Sequence, residues 1–163
     1  VIVMSVKSQQ QNMKTIHGLV SQNLSYIHGE RESGPNGAKK IFHSKSKAFL
    51  RALGNDLGFK EYKVTSNPGG IAVGGEITLI GMWGDGNGLY LQIFQPTTNR
   101  REFFYRHISH MKDYSGGINQ WLPYSLFADG DYEQFIDIVS ALRKPSLQIS
   151  SMEELSEEVY HIA

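Results

Sequence analysis

The 163-residue chain contains no cysteine. That removes disulfide scaffolds, thiol nucleophiles, iron–sulfur clusters and cysteine-ligated zinc. It is compatible with a reducing compartment, and a cytoplasmic location is the expectation. Net charge is also missing, because 16 basic side chains balance 16 acidic ones. A histone-like or polybasic protein is thereby disfavoured. No apolar run approaches the roughly 18 residues of a membrane-spanning helix, so no membrane association is expected. The opening Val1-Ile2-Val3-Met4 is too short for the core of a signal peptide, and Lys7 to Lys14 is polar. Neither a G-x-S-x-G elbow nor an H-E-x-x-H zinc motif occurs, which removes two common hydrolase signatures.

What is present suits one folded domain. The chain is 40% apolar and 20% charged, close to globular norms. Residues 1–11 read as a flexible tail, residues 12–145 as a single domain, and residues 146–163 as an acidic helical segment. Met13, Ile16, Val20, Leu24 and Ile27 recur at helical spacing over 12–28. A second helix is expected over 44–57, with Ser44 as its cap, a stripe of Phe49, Ala52, Leu53 and Leu57, and Gly58 as its left-handed end. Four strands are expected over 59–66, 71–83, 89–95 and 102–109, joined by turns too short for parallel crossovers. Gly84-Asp85-Gly86-Asn87-Gly88 reads as a hairpin loop. It lacks the P-loop lysine, and a strand follows it where phosphate binding needs a helix.

Residues 110–130 show no periodicity and read as a long irregular connection, a kind of segment that often carries function. Asp131 with Gln134 three residues on resembles a capping box opening a helix to about Lys144. Ser151-Met152-Glu153-Glu154 is a full capping box, opening a helix with Met152, Leu155, Val159 and Ile162 on one side. Strands clustered between helices predict an α+β fold: a four-stranded antiparallel sheet with helices packed on one face.

Three clusters bear on function. His107, His110 and Asp113 are spaced three apart, with Arg106 beside them. On a helical turn this set would converge on a metal or a scissile bond, with Arg106 steadying an anion. On a continuing strand the two histidines would face opposite ways, leaving side chains that merely bond loop backbone. Basic side chains form a second set: Arg100, Arg101, Arg106 and Lys112, with Lys39 and Lys40 at the head of a run continuing to Arg51. Near a common groove they would track a phosphate backbone; otherwise they are an ordinary solvated surface. The third set is Tyr114, Asn119 and Trp121, whose glycine-containing loop has the composition of a recognition loop.

Aromatic residues crowd the expected strands, and Phe103 and Tyr105 share one face with Phe104 on the other. One face belongs under the helices. The other, flanked by arginines, is suited to stacking unpaired bases. The favoured expectation is a non-enzymatic binding or accessory module that needs no cofactor. Its ligand is nucleic acid first and an acidic protein surface second, met by residues 100–121 and the glycine hairpin. The alternatives are a metal-assisted hydrolase or nuclease, and a protein-interaction module acting through the C-terminal helix. The zero net charge is itself a cancellation. Residues 1–128 carry 14 basic and 8 acidic side chains (+6), and residues 129–163 carry 2 and 8 (−6).

Overall fold

The computed structural model describes residues 2–22, 38–68, 75–94, 102–114 and 117–144. Two long helices, α1 (Ile2–Gln22) and α2 (Ala38–Asp56), precede the strands β1 (Glu61–Asn67), β2 (Glu76–Gly84), β3 (Asn87–Phe94), β4 (Glu102–Ile108) and β5 (Gln120–Pro123). The short helix α3 (Ser125–Asp129), the helix α4 (Tyr132–Ser140) and a 3-10 turn (Ala141–Arg143) follow. The strands form one antiparallel meander in chain order. The fold is α+β, as the order of signals predicts. Among the described residues no helix is long and apolar enough to cross a membrane.

The sheet has five strands rather than four. The extra one, β5, lies inside the stretch read as irregular, which also contains α3. Four residues ending in proline carry too little alternation to announce a strand; pairing with β4 makes it one. Two helix starts also differ from expectation. Residues 2–11 form the first turns of α1 instead of a tail, and there Gln9 is buried with its Nε2 donating to the Phe49 carbonyl at 2.7 Å. A glutamine on the core side breaks the apolar pattern that the sequence offered. Likewise α2 begins at Ala38, so Ser44 sits inside it and caps nothing. Its buried stripe is Phe42, Ser46, Phe49, Leu50 and Leu53, and the polar Ser46 hides the first turns. Gly58 does take the left-handed conformation (φ 72°) after α2.

Two local signals are met by atoms. Asp131 caps α4, its side chain accepting the Gln134 backbone N–H at 2.8 Å. Asp85 and Gly86 both have positive φ between β2 and β3, the pair of left-handed residues a tight hairpin requires to match strand twist. The Ser151 helix, Arg100, Arg101 and the residue pair Gly69-Gly70 lie outside the described residues.

Alternation along the strands gives the sheet two unlike sides. One side presents Val64, Leu79, Leu91, Phe103 and Tyr105, in register across four strands. These join Met13, Ile16 and Val20 of α1, Phe49 and Leu53 of α2, Phe127 of α3 and Phe135 of α4 in a single core. Phe103 stacks on Phe127 with centroids 4.9 Å apart. Several buried polar groups there are paired, while the Ser46 hydroxyl is buried without a hydrogen-bond partner among the described residues. Tyr132 Oη donates to Asp56 Oδ2 at 2.5 Å, and Trp83 Nε1 donates to the Leu57 carbonyl at 2.8 Å. Tyr124 Oη donates to the Phe94 carbonyl at 2.6 Å and accepts the Phe94 N–H at 2.9 Å. Burial pushes the Tyr124 and Tyr132 phenols well above the usual phenol range. The helices all pack on this side.

Candidate functional site

The other side of the sheet has no helix over it among the described residues. Its small apolar cluster is Ile80, Met82 and Ile108, with Tyr90 and Met111 packed against it. Met111 belongs to the β4–β5 connection, which folds over this end of the face. Gly117 (φ 82°) of the same connection lies so close to β4 that a Cβ there would fall 2.6 Å from the His107 carbonyl oxygen.

Strand register lines up residues on this face in rows. In one row Thr65 faces Thr78, Thr78 faces Gln92, Gln92 faces Phe104 and Phe104 faces Trp121. In the next, Lys63 faces Ile80, Ile80 faces Tyr90 and Tyr90 faces Arg106. The aromatic members touch across rows. Tyr90 and Phe104 stack nearly parallel, with centroids 5.9 Å apart and planes inclined by 15°. Phe104 meets Trp121 at 5.2 Å. Arg106 Cζ lies 4.7 Å over the Tyr90 ring, a cation–π contact that closes the inner end of the ladder. At the outer end Trp121 is 38% exposed, and Tyr114 and Ile118 of the preceding connection are more exposed still.

The His107–His110–Asp113 set does not assemble. Among the described residues no group of three His, Asp or Glu side chains lies close enough together to hold a metal ion. The reason is the strand. Alternation puts His107 on the opposite side of β4 from Arg106, opposite Leu89, where its Nε2 lies 3.1 Å from Asn87 Oδ1. Burial holds the His107 ring below its ordinary pKa, against the opposing pull of Asp113 and the Gly86 backbone. Asp113 serves the turn after β4. Its Oδ2 accepts from the Ser109 backbone N–H at 3.1 Å and from Ser109 Oγ at 3.3 Å. It is also the counter-ion of Arg106, with Nη1 3.8 Å from its Oδ1 and Nη2 donating to its carbonyl at 2.6 Å. His110 is exposed on that turn.

Of the described basic residues, Lys39 and Lys40 are not beside Arg106 and Lys112, while Arg100 and Arg101 lie outside the described residues. Lys39 and Lys40 sit on α2, in the helical layer behind the sheet. Arg106 is buried and paired, which leaves Lys112 as the exposed member of the set beside the uncovered face. Lys63 on β1 adds a positive charge that the sequence reading did not single out, while Glu76 and Glu102 stand at the far end. Of the loop residues, Tyr114 and Asn119 are exposed, and Trp121 belongs to β5. Gln92 and Thr78 were also not singled out. The alternation of β3, which puts Tyr90 and Gln92 on one side, was the signal for the first.

Compared with known proteins, the chain matches no family model, no curated protein and no solved structure.

Proposed function

We propose that the chain is a non-enzymatic binding module whose ligand surface is the half-exposed aromatic edge of the sheet face away from the helices, and that unpaired bases of single-stranded nucleic acid are what it binds. The observation that carries this reading is the ladder Arg106–Tyr90–Phe104–Trp121, built on the side of the sheet away from the main core and partly exposed at Trp121. An aromatic ring held on a rigid sheet gives a base a stacking partner at low conformational cost. Each base–aromatic stack is worth about 1–3 kcal/mol. Phosphate contact is the minor term, because among the described residues the exposed cations on or beside this face are Lys63 and Lys112.

The test is titration of the whole chain with short single-stranded DNA and RNA at low salt, read by Trp121 emission in a Trp83→Phe background. Quenching and saturable binding are the expected result, with Trp121→Ala weakening affinity by about 5- to 150-fold. Absence of binding to every single strand tried rejects the ligand class.

A further inference from the structure

Among the described residues four large apolar side chains are exposed, and three of them belong to one stretch. Ile118 is 76% exposed, Tyr114 63% and Trp121 38%, while Ile41 stands apart on α2. The backbone that presents them is anchored. Arg106 Nη2 donates to the Asp113 carbonyl at 2.6 Å. A Cβ on Gly117 would lie 2.6 Å from the His107 carbonyl oxygen and 3.9 Å from Arg106 Cβ. Tyr114 and Ile118 each follow one of these anchored residues, so both stand beside the same point of β4. Lys112, exposed, precedes the first anchor.

Residues 145–163 lie outside the described part, and their sequence carries the complementary pattern. They hold Glu153, Glu154, Glu157 and Glu158 and no lysine or arginine. In the helix expected from the Ser151 capping box, Met152, Leu155, Val159 and Ile162 form one stripe. Glu154 and Glu158, four residues apart, line one border of it. The description ends at Lys144, after a 3-10 turn that packs on β3. Residues 145–150 span up to about 20 Å when extended, and the two strand spacings from β3 to β5 need about 10 Å.

We propose that residues 151–163 of this chain dock as an acidic amphipathic helix on Tyr114 and Ile118, with Lys112 facing the Glu154–Glu158 border. Removing the exposed tyrosine and isoleucine surface from water drives the contact. The opposite charges contribute less and fix its orientation. The docked segment adjoins Trp121, at the edge to which base stacking is assigned above, but the contact itself requires no nucleic acid.

The experiment places a benzophenone photocrosslinker at position 118 of the full chain and maps the links by mass spectrometry, in dilute protein at low salt. The expected result is a link to a peptide within 151–163, at the mass of one chain. Leu155→Asp with Val159→Asp abolishes the link. Lys112→Glu lowers its yield, and adding Glu154→Lys with Glu158→Lys to that chain restores it. A link at twice the chain mass gives the patch to a second copy and overturns the proposal. So does a link to any other segment, the absence of a link, or a yield unmoved by the two aspartates or by the reversal at Lys112. Nucleic acid is absent throughout. Failure here therefore leaves the stacking reading standing, and a chain that binds no oligonucleotide can still show the link.

Discussion

The two faces of the sheet are made from the same strands, often from adjacent residues, yet they are built for different ends. Phe103 is wholly buried against Phe127 and Phe135, whereas Phe104, one residue on, lies half-exposed between Tyr90 and Trp121. On the covered side Phe103 packs on rings of the helical layer, and the Tyr124 and Tyr132 hydroxyls reach a backbone carbonyl and a carboxylate. On the other side Tyr90, Phe104 and Trp121 touch one another and Arg106 lies over Tyr90, with Trp121 38% exposed. Burial of aromatic surface accounts for the first arrangement, because it removes apolar area from water. It does not account for the second, where a stacked ladder has been assembled and left accessible.

The largest effect that separates the faces is a pair of neighbouring truncations. Phe103→Ala is expected to destabilise the fold by about 3–5 kcal/mol, through lost burial and the cavity it leaves. Phe104→Ala removes two ring contacts and is expected to cost about 1–2 kcal/mol, while weakening single-strand binding. Urea unfolding of both variants checks this, and equal costs would mean that the uncovered face is core after all.

A second effect belongs to the covered face alone. Tyr124→Phe leaves the Phe94 N–H and carbonyl unpaired and is expected to cost about 1–3 kcal/mol. The same phenol makes stability pH-dependent. Its folded pKa is raised above the ordinary 10.0, mainly by burial, and Tyr132 shifts the same way. The unfolded chain therefore gives up its phenol protons first. This contribution is fully present below about pH 10 and is lost as pH rises beyond it. Urea midpoints taken from pH 8 to 11 should fall only in the upper part of that range, and less steeply in Tyr124→Phe.

The smallest effect is the salt dependence of the uncovered face. Two lysines neutralising phosphates on a single strand give a log–log slope of about −1.4, from roughly −0.7 per contact. A markedly steeper slope would bring Arg100 and Arg101 into the interface and make phosphate contact, rather than stacking, the main source of affinity.

Local chemistry was legible in the sequence wherever one residue and its immediate neighbours decide it. Asp131 with Gln134, the Asp85-Gly86 hairpin and the left-handed Gly58 are of that kind. The alternation of Phe103, Phe104 and Tyr105 was legible too, including the prediction that one side goes under the helices. What escaped depends on partners distant in sequence. Gln9 is buried because the Phe49 carbonyl, forty residues on, receives its amide. β5 is a strand because β4 lies beside it. His107, His110 and Asp113 look like a set by spacing, but strand alternation splits them and Arg106 takes the carboxylate. The row from Thr78 to Trp121 exists only once register is known, since it draws one residue from each of four strands.

Register returns attention to Tyr124. Its single oxygen fills both backbone positions of Phe94 that an opposing residue would otherwise take. A slide of β3 by one residue would break both bonds and would exchange Leu91 with Gln92 between the faces. The phenol is thus a peg that stops the strand from slipping. From within the core, it settles which side chains β3 turns to each face.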